Sequence, residues 1–320
     1  MEGAGAEGAG AERGLLVVGD VVTDVVARHR GPLAPATDTA AEIRTLPGGA
    51  GANAACWAAY SGLAYVRILA RVGTDSAAWH QERLRRAGVR PHLVLDAEAP
   101  TGTVISLVDA TAERTFLSDN GAALRLSPAD WSPSLLDGIT HLHLSGYLFF
   151  SDTSRATARL ALRAARERGV TVSVDPASVG FISGLGVDRF LDAVAGADVL
   201  LPNADEACLL TGLPEPHDAA AKLSRYFPLV AVTLGADGAL LASFGGVTAR
   251  IPPVPARAAD STGAGDAFTG AFLAARLGGA GGSKGDEMAA AAGCRAGAHA
   301  VTVIGGRPPF RENTDPPGSG

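Results

Sequence analysis

The sequence predicts an α/β fold, a mostly parallel sheet between two layers of helices, with a small β-sheet lid projecting from it. Three observations carry this. Short apolar runs such as LLVV (15–18), VTVSVD (170–175) and VAVTL (230–234) read as strands buried on both faces. Segments with apolar residues at helical spacing alternate with them, which calls for crossover connections and so for parallel strands. Two stretches, around 27–46 and 101–126, break the alternation.

Taken in order, residues 1–13 are rich in Gly, Ala and Glu, a composition too poor in large apolar groups to pack, and the tail from Arg311 reads the same way. The first strand ends at Gly19. A helix follows over 50–61, stopped by Gly62, then a strand over 66–70 and a helix over 77–87, stopped by Gly88. Within 101–126, residues 104–108 and 114–117 flank a polar turn and read as a hairpin. Further on come strand 141–147, helix 153–168, strand 170–175 and a helical region around 187–195. Strand 198–202, helix 204–211 and strand 230–234 follow. GGAGGSKG (278–285) reads as a flexible loop between helices. The domain is thus expected to span 14–310 between tails at 1–13 and 311–320, with a lid drawn from about 25–47 and 101–121.

Composition narrows the function. Of 320 residues, 47% are hydrophobic and 19% charged, an ordinary balance for a globular chain. The net charge of −6 and the lack of a basic stripe argue against nucleic acid or an anionic membrane surface as partner. Cys56, Cys208 and Cys294 are isolated and odd in number, which fits a reducing compartment better than a disulfide framework or a zinc site. The first dozen residues carry acids and no basic region, unlike a signal peptide, so the expected location is cytoplasmic.

The stretch DSTGAGDAFTG (260–270) is the most informative. Ala267, Phe268, Ala271, Phe272 and Ala275 recur on one helical face, so Gly263, Ala264 and Gly265 fall at the start of that helix. Backbone N–H groups there lack intrahelical partners, and with almost no side chain in the way a phosphate can reach them. Asp266 stands beside them. A carboxylate next to a phosphate only repels it unless a third group intervenes, and an acceptor hydroxyl is the natural one: Asp266 takes its proton while the oxygen attacks. Acids at a helix start are also common as simple caps.

DSTGAGDAF resembles the C-terminal signature of the PfkB, or ribokinase-like, carbohydrate kinases, and PGGAGANAACWAAYSGL (47–63) resembles their N-terminal one. GDVVTD (19–24), PNADE (202–206) and TLGADG (233–238) are similar to weaker marks of that family and fall in its order. The resemblance implies a ribokinase-like three-layer α/β/α sandwich and an ATP-dependent kinase acting on a hydroxyl of a sugar or nucleoside. It implies that Asp266 is the base and that Gly263, Ala264 and Gly265 form the anion hole. Asp24, Gly48, Gly49 and Asn53 would bind the acceptor. Asn203, Glu206, Thr233, Gly235, Gly238 and Cys294 would serve the nucleotide. Glu206 would hold Mg2+ through water, and Asp260 and Thr262 a monovalent cation such as K+. Locally, several of these positions read equally as structural: Asn203 and Glu206 as a capping box, Thr233 to Gly238 as a strand and turn. Pairing of lids into a homodimer is also implied.

Three departures stand on the acceptor side. Ala50 replaces the Lys usual in true ribokinases, Val22 replaces an Asn, and GAA (121–123) replaces GAN. Fewer polar groups there favour a less polar acceptor, such as a nucleoside, or a different sugar. Arg28, Arg30 and Arg44 in the first lid segment read as solvated charges rather than a phosphate site. His141 and His143 share a strand face but lack a third ligand, which points to a structural role. A dinucleotide oxidoreductase is disfavoured, because no GxGxxG follows the first strand. The remaining alternative is a catalytically silent member of the same fold acting as a binding module.

Overall fold

A computed structural model describes residues 13–110, 114–279 and 281–309. The chain opens with β1 (Gly14–Val18), β2 (Val22–His29), β3 (Ala41–Gly48), α1 (Ala50–Tyr60), β4 (Val66–Gly73), α2 (Ala77–Arg86) and β5 (Val89–Asp96). Next come β6 (Thr101–Val108), β7 (Arg114–Gly121), β8 (Ile139–Leu144), α3 (Asp152–Glu167), β9 (Thr171–Val174), α4 (Val179–Leu185), α5 (Val187–Val194) and β10 (Val199–Leu200). The last part holds α6 (Ala204–Thr211), α7 (Pro216–Leu223), β11 (Leu229–Thr233), β12 (Ala239–Ser243), β13 (Gly246–Ile251), α8 (Ala264–Gly278) and α9 (Ser283–Ala300). The tails expected at 1–13 and 311–320 lie, Arg13 apart, outside the described residues; Arg13 itself donates to Leu277 O and Gly279 O at the end of α8.

The main sheet has the order β13-β12-β11-β10-β9-β8-β1-β4-β5. From β11 to β5 every neighbour pair is parallel, and β12 and β13 complete one edge antiparallel. Alternation along each strand explains the two helical layers. Leu16, Val18, Leu142, Leu144, Val172 and Val174 point to one face and join a core with residues of α3, α5, α6 and α7. Leu15, Val17, Ile68, Val199 and Leu201 point to the other, where residues of α1, α8 and α9 cover them. Both faces are therefore apolar and both are covered. The three cysteines are unpaired, and among the described residues no helix is long and apolar enough to cross a membrane.

The second sheet has the order β3-β2-β6-β7. It forms where the sequence breaks the alternation, but it is mixed rather than a simple hairpin: β2 runs parallel to β6 and antiparallel to β3. β2 starts at Val22, so Asp24 sits within this sheet and not on a turn after β1.

Several details differ from the sequence reading. β5 escaped it because Pro91 interrupts a half-buried alternating pattern, a pattern tolerated at the sheet edge that β5 occupies. α9 begins at Ser283, so the loop read at 278–285 shrinks to the few residues between α8 and α9. The helical region read around 187–195 is α5, and a further short helix, α4, precedes it up to the break at Gly186. The strand read at 141–147 ends at Leu144 and gives way to a 3-10 turn over Gly146–Phe150.

α1 and α8 pack closely enough that one glycine decides their separation. A Cβ on Gly270 would overlap Ala54 O and crowd Trp57 Cβ and Ala58 N, mostly backbone that cannot swing aside. Gly270→Ala is therefore expected to destabilise the fold by about 1–3 kcal/mol despite its better helix propensity. Thermal melting measures this, with Gly278→Ala, where a Cβ meets open space, as the control that does not lower the melting temperature.

Candidate active site

β1, the parallel strand at the centre of one half of the sheet, ends at a buried carboxylate. Asp20 accepts from Ala50 N (2.8 Å), Gly51 N (3.0 Å) and Ser145 Oγ (2.9 Å). It thereby ties the start of α1 and the end of β8 to the end of β1. Burial pushes its pKa up, and these hydrogen bonds oppose the shift. Four residues on, Asp24 pairs in β2 with Leu46 of β3 and Val104 of β6. Its carboxylate lies over Gly48, where any side chain would collide with it. Among the described residues it has no hydrogen-bond donor. Burial raises its pKa to about 7, tempered by the Arg307 guanidinium.

The DSTGAGD run leads into the start of α8. Gly263, at the helix N-cap, is left-handed with φ 73° and is pressed against Gly306, so both its backbone and its surroundings demand glycine. The first α-helical bond runs from Ala267 N to Gly263 O (2.8 Å). The N–H groups of Gly265 and Asp266 precede it, and the space around the Gly265 Cα is open. Asp260 anchors this loop by accepting from Thr262 N (2.7 Å) and Gly305 N (3.0 Å). Asp260 and Thr262 thus brace the loop before α8 in protein contacts of their own.

Asp266 sits in the first turn of α8, and its Oδ2 accepts from Asn53 Nδ2 of α1 at 2.8 Å. Asn53 was expected at the acceptor; in the structure its side chain is the partner of Asp266. Desolvation lifts the Asp266 pKa well above the ordinary carboxylate range. The Asn53 bond lowers it, and the charges of Asp175, Asp20 and Asp24 push it further up. The result is a carboxyl group with a strong tendency to take a proton.

The residues expected at the nucleotide lie further along the sheet. Asn203 and Glu206 form a capping box at α6: Glu206 N donates to Asn203 Oδ1 (2.9 Å), and Asn203 N donates to Glu206 Oε2 (2.9 Å). Burial raises Glu206 to about 7. Thr233 ends β11 and bridges to Asn203. Gly235 and Gly238 make the tight turn from β11 to β12. Cys294 is half-buried on α9 against the core under α8.

One cavity of about 940 Å3 brings together Asp20, Asp24, Gly49, Asn53, Asn203, Asp260, Thr262, Gly263 and Asp266. Gly48, Ala264, Gly265, Thr233, Gly235, Gly238, Cys294 and Glu206 are not on its wall. Val22 and Ala50 line it as the departures imply, whereas Ala123 is buried away from it and Asn120 faces it instead. Sequence reasoning missed Asp20, Asn120, Tyr147, Asp175 and Phe181. Asp20 and Asp175 could have been found by the rule that open α/β sheets bind ligands beyond the carboxyl ends of their strands, since both directly follow parallel strands. Arg28 and Arg30 lie at the far tip of the small sheet, and Arg44 pairs with Glu42 in solvent, so none of the three reaches this cavity.

Comparison with known proteins agrees with this geometry. The model for the pfkB family of carbohydrate kinases matches residues 12–313. A fructokinase of Klebsiella pneumoniae is 32% identical over 272 residues, covering 81% of this chain and 83% of that protein. An ATP-dependent ribose-1-phosphate kinase of Halopiger xanaduensis is 33% identical over 269 residues, 82% of this chain and 84% of that protein. Among solved structures, an aminoimidazole riboside kinase of Salmonella enterica, complexed with aminoimidazole riboside and an ATP analogue, superposes with a TM-score of 0.76. It is 25% identical and covers 92% of this chain and 95% of that one. Strand order, the two signatures and these likenesses lead to one conclusion: the chain belongs to the PfkB family of carbohydrate kinases.

Proposed function

We propose that this protein is an ATP-dependent kinase that moves the γ-phosphoryl group onto a hydroxyl of a sugar or nucleoside, with Asp266 as general base. The observation that carries this is the shared cavity: Asp266, Gly263 at the start of α8 and Asp24, whose carboxylate has no donor among the described residues, all line it. Asp24 can accept from two neighbouring hydroxyls and so orient a diol. The attacking hydroxyl then gives its proton to Asp266 as its oxygen bonds to phosphorus, the bond to the β-phosphate oxygen breaks, and ADP leaves. Amides of residues 263–265 steady the equatorial oxygens of the transferring group. Asp266 later releases its proton to water.

Magnesium, when bound with ATP, neutralises charge on the phosphates. Asn203 faces the cavity, and Glu206 behind it keeps one carboxylate oxygen outside the capping box, a donor set suited to holding a hydrated cation. Thr233, Gly235, Gly238 and Cys294 belong to the nucleotide side in this reading, with Asp260 and Thr262 as the place where K+ would act. A silent binding module would have little use for a base with so strong a pull on a proton. Phe116, Tyr147, Phe181, Val22 and Ala50 give the acceptor side an apolar wall, which favours nucleosides over free hexoses. A cytoplasmic location and pairing of two chains through the small sheet complete the reading.

A coupled ADP-release assay over a panel of sugars and nucleosides, run in K+ and in Na+, is expected to show turnover with ribonucleosides preferred. Asp266→Asn should cut kcat by about 10²–10⁴-fold with little change in acceptor binding. Full activity in that variant, or selective turnover of ribose, would refute the corresponding part.

Asp24 links function to stability. Its pKa is about 7 in the fold against 3.8 for an ordinary Asp, so the folded protein binds the extra proton between those values. Its ionisation therefore weakens the fold progressively as pH rises through that window. Asp24→Asn is expected to raise the melting temperature at alkaline pH while acceptor binding falls, and wild-type kcat/KM should decline as pH drops below about 7. An unchanged or lower melting temperature would contradict this.

Ile43 on β3 and Phe116 and Leu117 on β7 are 65%, 51% and 55% exposed on the two edge strands of the small sheet. Sedimentation velocity should accordingly give a dimer that Ile43→Lys converts to monomer; a wild-type monomer at all concentrations excludes the pairing.

A further inference from the structure

β8 and β9 stand inside the nine-stranded sheet, where their neighbours carry Leu, Val and Ala. One face of this pair instead carries His141, His143, Thr171 and Ser173, with Asp175 directly beyond. The register sets His141 beside Thr171 and His143 beside Ser173. Leu15 and Val17 of β1 flank the histidines, and Val199 of β10 flanks Ser173; all three belong to the apolar layer that includes Phe268 and Phe272 of α8. Walled in this way, the five polar side chains form one continuous hydrogen-bonded line. Thr171 Oγ1 meets His141 Nδ1 at 2.7 Å, and His141 Nε2 meets Ser173 Oγ at 2.8 Å. Ser173 Oγ meets His143 Nδ1 at 2.9 Å, and His143 Nε2 meets Asp175 Oδ2 at 3.0 Å. His141, His143 and Ser173 are all within 1% of complete burial.

The line has a direction. An ionised carboxylate only accepts, so His143 Nε2 carries the proton given to Asp175 and its Nδ1 accepts from the Ser173 hydroxyl. With both rings neutral, Ser173 in turn accepts from His141 Nε2–H, and Thr171, whose hydroxyl also lies 3.2 Å from Thr140 O, directs its proton to His141 Nδ1 at 2.7 Å. Burial holds His141 down to about 3, so that ring stays neutral. Rings packed between apolar walls cannot rotate, and Asp175 Oδ2 is pinned. Its other oxygen has no protein donor among the described residues, and Asp175 lines the cavity that holds Asp266. Apolar side chains would fill this space without desolvating two imidazoles and two hydroxyls. A fully satisfied polar line that ends on one cavity carboxylate therefore points to control of that carboxylate.

We propose that His143, backed by Ser173 and His141, is a positioning residue that holds the Asp175 charge fixed beside Asp266, so that the proton leaving the acceptor hydroxyl is drawn onto Asp266. This rests on Asp266 being the base. Asp266 is also faced by Asn53 from α1, by Asp20 after β1 and by Asp24 on β2. Asp175 shares its surroundings with Tyr147 after β8 and Glu206 on α6.

The test is a set of pH–rate profiles for the whole protein with ATP and its best acceptor: wild type, His143→Leu, Ser173→Ala, Asp175→Asn and the double variant His143→Leu/Asp175→Asn. Loss of a neighbouring negative charge lets Asp266 ionise at lower pH. His143→Leu and Asp175→Asn should each move the acid limb of kcat to lower pH and reduce kcat on the order of 10-fold, with acceptor KM nearly unchanged. Ser173→Ala should do the same more weakly, and His143→Gln, whose amide can still donate, should recover part of the loss. The double variant should be no worse than Asp175→Asn alone. An unmoved acid limb, or losses that multiply in the double variant, overturns the proposal. Should His143→Leu fail to fold, the Ser173→Ala and Asp175→Asn cycle decides the same question. If Asp266→Asn keeps full activity the base reading itself falls; if it does not and these profiles stay put, only the positioning role falls.

Discussion

Like charges crowd one desolvated cavity, and the surrounding fold is arranged to hold them there. Asp20, Asp24, Asp175 and Asp266 all reach its wall. At Asp20, Asp24 and Asp266 burial favours the protonated form, and at Asp24 and Asp266 neighbouring carboxylates add to it, a liability for stability that also gives Asp266 its affinity for a proton. Each carboxylate is held differently. Asp20 has three protein donors, Asp266 and Asp175 have one each, and Asp24 has none among the described residues. The group left without a donor is the one best placed to receive hydroxyls from a bound acceptor.

The architecture follows from where these groups must stand. The central parallel strands end together, so β1 delivers Asp20 and β9 delivers Asp175 to the same rim, while β2 carries Asp24 into the small sheet above it. α8 enters from the opposite end of the sequence, and its close packing on α1 lets Asn53 reach Asp266. A single strand, β2, thus belongs to the small sheet and to the acceptor site at once. Any movement of that sheet also moves the carboxylate that would orient the acceptor.

Much of this was legible in the sequence because it is local. The run DSTGAGDAF announces a helix start with thin backbone, and the apolar runs alternating with helical periodicity announce a covered parallel sheet. What escaped is long-range or marginal. The Asn53–Asp266 bond joins residues 213 positions apart, and Asp20 meets Ser145 across 125. No short pattern encodes either contact. β5 contains a proline, so propensity alone misses it, and β10, read at 198–202, keeps only two residues in the sheet. Asn203 and Glu206 illustrate the reverse difficulty: the capping box read from their spacing is present, and Asn203 also lines the cavity, so spacing alone does not separate the two roles. The two histidines of β8 looked structural for want of a third ligand, and only the register with β9 shows them as links in a line that ends at the cavity.

A base built in this way must hold its proton far more tightly than a solvent-exposed aspartate does. Difference infrared spectroscopy on protein with isotope-labelled aspartate, comparing wild type with Asp266→Asn across a pH titration, reads this directly. A protonated carboxyl band that persists well above the ordinary aspartate range and vanishes in the variant is the expected result. If the band assigned to Asp266 ionises within the ordinary aspartate range, the cavity does not build the base proposed here.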